Sequence, residues 1–167
     1  MAARRKRNQV AKGRPVDDSR VEMVEAVLPN DANPLGNMLG GRVMHMIDIA
    51  AAIAAHRHTN CYAATVAVDY LDFRSPIRVG ELIVLKSSVN RVFSTSMEVG
   101  VKVFSENILT GERKHTSSAY VTFVALDSRK RPKMAPQVMP RSVDDLRRYR
   151  EAGERRKIRL QYRNRRK

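Results

Sequence analysis

Twenty-five residues, Asp31 to Ala55 (DANPLGNMLGGRVMHMIDIAAAIAA), concentrate the groups in this chain that could do chemistry. Glycines at 36, 40 and 41 let a backbone come close to a ligand or to a second backbone. A Gly-Gly pair at a helix start leaves N–H groups pointing outward, a ready site for an oxygen that gains negative charge. Further along the same apolar segment stands one carboxylate, Asp48, among Ala, Ile and Met. Such an acid is costly to bury without a use. Donors and acid together read as a reaction centre. Plainer roles compete with each part: a structural hydrogen-bond partner for Asp48, close helix packing for the glycines, an ordinary turn for Asn33-Pro34.

Other chemistry-bearing residues give weaker patterns. His45 and Asp48 have the helical i,i+3 spacing of metal ligands, but no carboxylate cluster joins them, and His56 and His58 read as solvated at a helix end. No metal is expected. His115 reads as a surface residue in a strand. Cys61 is the only cysteine, so an internal disulfide is excluded, and it reads as a buried small hydrophobe in a reducing compartment.

The elements that must position these groups follow from periodicity. Residues 1–18 read as a mobile basic arm, with nothing apolar recurring. A first strand fits Arg20–Leu28, then a loop, then a helix from about Gly40 to Arg57 that is apolar nearly all round and therefore expected to be buried. After Asn60 the period changes to that of strands: 65–73, 82–92, 96–105 and 114–126, with Asn107–Glu112 as a hairpin connection. Short connections make the last strands antiparallel, which gives an α+β layer of one helix on one five-stranded sheet. One helix cannot cover both faces of that sheet, so a second copy is expected to pair with it. Residues 19–130 form the domain. Pro132, Pro136 and Pro140 mark an extended linker, and Ser142–Asp145 fits a capping box that opens a basic C-terminal helix over the rest of 131–167.

Net charge is +15 over 167 residues, which taken alone suggests a nucleic-acid or anionic-surface partner. Its distribution argues otherwise. Residues 1–14 hold six Lys or Arg and no acid, residues 15–140 hold fourteen against thirteen, and residues 141–167 hold twelve against four. The middle is nearly neutral. No apolar run approaches the roughly 18 residues of a membrane span. The basic start lacks the apolar segment of a secretory signal, and the cytoplasm is the expected location.

Five stretches, in order, carry a resemblance. They are Asn33-x-x-Gly36-Asn37-x-x-Gly40-Gly41 leading to Met46-Ile47-Asp48, then Ala64-Thr65-Val66-Ala67-Val68-Asp69, then Phe73-x-Ser75-Pro76-x-x-Val79-Gly80, then Asn90-Arg91-Val92-Phe93-Ser94-Thr95-Ser96-Met97-Glu98-Val99, and the tail Glu154-Arg155-Arg156-Lys157-Ile158-Arg159-Leu160. Over about residues 20 to 162 the chain resembles the hotdog-fold acyl-CoA thioesterases, in the branch related to the cytosolic acetyl-CoA hydrolases. The resemblance implies a hotdog fold, with a long central helix wrapped by an antiparallel sheet. It implies hydrolysis of an acyl-CoA to coenzyme A and a carboxylic acid, with no cofactor beyond the coenzyme carried by the substrate.

It also implies roles. The Gly41 N–H, helped by Asn33 or the helix dipole, would hold the thioester oxygen, and Asp48 would activate water or attack directly. Val66, Ala67 and Val68 at a strand edge, with Thr95, Ser96 and Met97 after a turn, would grip the coenzyme, and Lys157 would meet a phosphate. Gly41 and Asp48 are roughly 10 Å apart along a helix, too far to serve one carbonyl from one copy. Asn33 of one subunit would therefore meet Asp48 of another, in a dimer at minimum and a trimer of dimers by the group's habit. Loss of residues 141–167 is then expected to weaken coenzyme binding more than turnover. Two rivals remain. One is a non-catalytic acyl-CoA sensor whose basic ends bind nucleic acid, which lacks stacking aromatics and a reason for Asp48. The other is a hotdog dehydratase, which lacks its loop histidine.

Overall fold

Met97, Val99, Val101 and Val103 alternate with Glu98, Gly100 and Lys102, and a strand sends such alternating residues to opposite faces. The computed structural model, which describes residues 13–165, builds its sheet from this pattern. In chain order the elements are β1 (Arg14–Pro15), a 3-10 turn (Val16–Ser19), β2 (Val21–Ala26), a second 3-10 turn (Pro29–Asp31), α1 (Gly40–Thr59), β3 (Tyr62–Phe73), β4 (Leu82–Val92), β5 (Ser96–Glu106), β6 (Arg113–Leu126), β7 (Val138–Met139) and α2 (Val143–Arg165). Strands run in the order β2-β4-β5-β6-β3, every pair antiparallel. This is the α+β hotdog arrangement, and the element boundaries fall within a few residues of those read from the sequence.

The inner face of the sheet supplies Ile83, Leu85 and Val89 from β4, Met97, Val99, Val101 and Val103 from β5, and Ala119, Val121, Phe123 and Ala125 from β6. Against it lies α1, touching all five strands with Val43, Met46, Ile47, Ala50, Ala51, Ala54 and Ala55. The run of alanines has a purpose there: small side chains bring the helix axis close to the sheet. Asn60, in the left-handed region at φ 50°, ends the helix by donating its N–H to the His56 carbonyl at 2.8 Å. No helix of the described residues is long and apolar enough to cross a membrane.

On the opposite, outer face lies α2. Its start is the capping box expected from the sequence: Asp145 N–H donates to Ser142 Oγ at 3.0 Å, and Asp145 Oδ2 accepts from Ser142 N–H at 3.1 Å. The helix is fastened to the sheet by charge. Arg155 donates to both oxygens of Glu98, at 3.0 and 2.8 Å, and Asn90 donates to the same carboxylate at 2.9 Å. Gly100 leaves room for that amide, since a Cβ there would lie 2.7 Å from Asn90 Nδ2. Arg155 and Arg159 pair with carboxylates of the sheet, whereas Arg147 and Arg148 pair with Asp144 on their own helix.

Five expectations are corrected. Although α1 is apolar in composition, it is not buried all round: Met44, His45, Asp48 and Ile49 are exposed, because the sheet covers only one side of it. Residues 14–18 do not belong to a mobile arm; residues 1–12 lie outside the described residues. Val16 is buried, β1 pairs in parallel with β7, and Arg14 donates to the carbonyls of Arg57 and His58 at the end of α1. Residues 131–142 are no free linker but a strap: Lys133 N–H bonds to Ala125, Ala135 N–H to Ser94, and Ala135 and Val138 are buried. Finally, His58 is fully buried, whereas Cys61 is half-exposed.

His58 joins strap to helix, its Nε2 lying 2.9 Å from the Pro136 carbonyl. A carbonyl only accepts, so the ring carries its proton on Nε2, and Nδ1 has no partner among the described residues. Burial holds its pKa below the ordinary 6.5; the Pro136 bond and Asp18 oppose this, and Arg14 adds to it. The folded state therefore binds fewer protons than the unfolded chain. Stability is retained above pH 6.5 and is lost as pH falls from there toward the depressed folded value. Urea midpoints measured between pH 7.5 and 5.5 are expected to drop, and His58→Gln, which keeps a neutral N–H, flattens the drop. Equal slopes would refute this account.

Candidate active site

The loop before α1 is held from inside. Asn33 Oδ1 accepts N–H bonds from Leu35 at 2.9 Å and Asn37 at 3.2 Å, which fixes its amide orientation and leaves Nδ2 without an acceptor among the described residues. Gly36 sits at φ +76°, a conformation that favours glycine, and its carbonyl accepts from Val79 N–H. Met38 N–H bonds to Ile77, and Arg42 bridges Asp31 and Glu25. Asn33, Gly40, Phe73, Arg74, Ser75 and Pro76 thereby line a cleft of about 280 Å³.

At the helix start, Arg42 and Val43 N–H groups bond to the Leu39 carbonyl, while those of Gly40 and Gly41 have no acceptor among the described residues. A Cβ on Gly41 would meet nothing within 4 Å. Packing inside this subunit therefore does not demand glycine there. The open backbone faces outward, as a donor site for an anionic oxygen requires.

Two turns further along, Asp48 stands on the exposed side of α1 and accepts a hydrogen bond from Thr65 Oγ1 at 2.7 Å. Asp48 does not line the cleft that holds Asn33. One helix thus carries open donors at its start and an oriented acid in its middle, turned to different surroundings. The sequence offers Thr65 only as part of a motif; its bond to Asp48 depends on β3 running alongside α1, which no local spacing reports.

Beyond Thr65, Val66 and Val68 are exposed and Ala67 is half-buried. They lie on β3, an edge strand paired only with β6, so main-chain groups on its other side are open. Thr95 and Ser96 occupy the β4–β5 turn, half-exposed, with the Thr95 carbonyl taken by Ala125 N–H and the Ser96 carbonyl by Phe93 N–H. Met97 is different. Its side chain is in the core and its backbone lies between two strands, so β5 turns it inward, away from the turn that Thr95 and Ser96 share. Lys157 is exposed and pairs with Glu154 at 2.8 Å. Its neighbour Arg156 stacks over Phe93, 4.5 Å from the ring centroid, which brings this part of α2 to the Ser94–Ser96 turn. Arg91, between Phe93 and Tyr149, adds a cation that the sequence reading did not single out.

The histidines do not gather. His56 Nε2 accepts from Ala63 N–H at 3.2 Å, and His115 lies 3.0 Å from Ser118 Oγ. Among the described residues no group of three or more His, Cys, Asp or Glu is placed to hold a metal ion.

The Thioesterase superfamily model matches residues 35–112, which include Asp48, Thr65 and most of the cleft lining but not Asn33. An acyl-CoA thioester hydrolase of Bacillus subtilis is 38% identical over 129 residues, covering 77% of this chain and 75% of that protein. The chain belongs to the hotdog acyl-CoA thioesterase family. Mouse acyl-coenzyme A thioesterase 11 is 43% identical over 148 residues, covering 87% of this chain but only 25% of that protein. Among solved members, an apo hexameric acyl-CoA thioesterase has a TM-score of 0.88 at 40% identity, covering 90% of this chain and 97% of that one. The acyl-CoA hydrolase of Staphylococcus aureus, solved with butyryl-CoA, coenzyme A and coenzyme A disulfide, has a TM-score of 0.85 at 31% identity, covering 90% and 92%. That enzyme was also solved with alanine in place of an asparagine, an aspartate and a threonine. Those three stand fifteen and seventeen residues apart, the spacing of Asn33, Asp48 and Thr65 here.

Proposed function

We propose that this protein hydrolyses acyl-CoA thioesters to coenzyme A and a free carboxylic acid. The carrying observation is Asp48, oriented by Thr65 on an open helix face that begins with the unpaired N–H groups of Gly40 and Gly41. In the reaction the thioester oxygen takes up negative charge against those N–H groups and the amide of Asn33. Asp48 either takes a proton from the attacking water and returns it to the thiolate as the C–S bond breaks, or attacks the carbonyl carbon itself. The second route expels the thiolate and leaves a mixed anhydride that water then splits, its proton going to the thiolate.

Asn33 and Asp48 face different surroundings in one subunit, so a productive site is proposed to join two copies. The twelve-residue edge strand β3 supports this, with Val66, Val68, Tyr70 and Phe73 exposed along it, as do Met44 and Ile49 on the open face of α1. A long apolar edge is a template for another chain. A homodimer is the minimum assembly, and the hexamer of one solved relative makes a trimer of dimers the larger proposal. The coenzyme would lie along Val66–Val68 and the Thr95–Ser96 turn, its phosphates near Arg156 and Lys157. The cytoplasm is the proposed setting. Family membership favours this reading over an acyl-CoA sensor with nucleic-acid-binding tails.

The decisive assay is release of free thiol from saturated acyl-CoAs between acetyl and palmitoyl. Turnover on at least one is expected; none on any length would overturn the proposal. Thr65→Val is expected to lower kcat by about tenfold to a hundredfold with little change in KM, because the acid is kept but misaimed. A pure KM effect would remove Thr65 from this role.

A further inference from the structure

Two register irregularities interrupt the pairing of β3 with β6, between Thr65 and Ala67 and between Val68 and Tyr70. Each bulge leaves one residue of β3, Val66 and Asp69, without a one-to-one partner and re-aims the side chains around it. The result is a short stretch held at both ends from different layers. At its start Thr65 donates to Asp48 of α1 at 2.7 Å. At its end Asp69 Oδ2 accepts from Thr122 Oγ1 at 3.1 Å and from Nη1 of Arg159, which reaches down from α2. The same Nη1 donates to Thr122 Oγ1 at 2.8 Å, so Asp69, Thr122 and Arg159 close a triangle. Side-chain exposure is 9% for Asp69 and 23% for Arg159, and a charge-assisted bond so shielded fixes geometry as well as adding attraction.

The bulges make this triangle consequential. The ladder of β3 to β6 is interrupted twice between Thr65 and Tyr70, so side-chain contacts at the bulges take over part of its placement. We propose that Arg159, acting through Asp69 and Thr122, is a positioning residue that fixes the bulged segment of β3 and thereby the hydroxyl that aims Asp48. The inference rests on the hydrolase reading and deepens it: α2 acts on the chemical step as well as on coenzyme grip. The sequence led instead to the expectation that losing the tail weakens binding more than turnover.

Full-length variants separate these roles on the best substrate of the acetyl-to-palmitoyl panel. Arg159→Ala is expected to lower kcat about tenfold or more with a smaller change in KM. Arg159→Lys, whose single ammonium can reach both oxygens, recovers most of that loss, and Arg147→Ala, at a surface pair of the same helix, leaves kcat unchanged. Combining Arg159→Ala with Thr65→Val gives less than the product of the two losses, since both act through one strand. Wild-type kcat with a raised KM in Arg159→Ala, or losses that multiply fully, would overturn the proposal. Hydrogen exchange without substrate supplies a readout free of activity: amides 65–70 exchange faster in Arg159→Ala while those of β4 do not, and unchanged protection at 65–70 also overturns it. An inactive wild type would sink the hydrolase reading instead, leaving the exchange result to decide whether the clamp exists.

Discussion

Asp48→Asn is expected to cut kcat by about a thousandfold while leaving the melting temperature where it is. Asparagine keeps an oxygen for Thr65 to donate to, so the side chain stays in place, yet it is no base at neutral pH and no nucleophile toward a thioester. General base catalysis alone is worth about 10²–10⁴-fold, and the covalent route loses at least as much with its nucleophile gone. An interaction used only in the transition state lowers kcat and kcat/KM together. Folding is spared because Asp48 is exposed within the subunit, so no buried group is orphaned. The assay of acyl-CoA turnover and a thermal melt on the same preparation check both halves. A kcat within tenfold of wild type, or a falling melting temperature beside intact turnover, would return Asp48 to a structural role.

The largest stability effect lies on the other face of the sheet. Glu98 is 0% exposed and accepts two bonds from Arg155 and one from Asn90. Arg155→Ala would leave that carboxylate buried with Asn90 alone. Breaking a buried pair from one side costs about 3–5 kcal/mol, and at this chain length that lowers the melting temperature by about 10 °C. Replacing both partners with apolar residues of similar volume, Glu98→Met with Arg155→Leu, is expected to recover most of the loss, since no lone charge remains. Exposed pairs on the same helix, such as Arg147 with Asp144, are expected to matter little. Differential scanning calorimetry of the single and double variants measures this. A harmless Arg155→Ala would show that solvent reaches Glu98 once the arginine is gone.

What could be read in advance follows from which signals are local. Period-2 alternation at Met97–Val103 and the Ser142–Asp145 box are local, and both took the predicted form. Gly41 and Asp48 announce themselves by type. Thr65 gives no such local signal: its partner lies seventeen residues away on another element, and a threonine in a strand has no chemistry of its own. At Met97 the motif does not reveal that the side chain turns into the core. For α1, apolar composition reports that a surface will be covered, not that its own chain covers it. His58 looked solvated because the strap that buries it arrives from residue 136.

The parallel pairing of Arg14 with Val138 orders events in time. Those residues lie more than a hundred positions apart, so their contact closes a long loop and gains nothing until the sheet between them stands. The strap residue that bonds His58 follows it by 78 positions, so during synthesis the C-terminal end of α1 emerges well before its cover. A nascent chain at that stage shows its apolar interior at one end, and the seal over His58 forms as one of the last acts of folding.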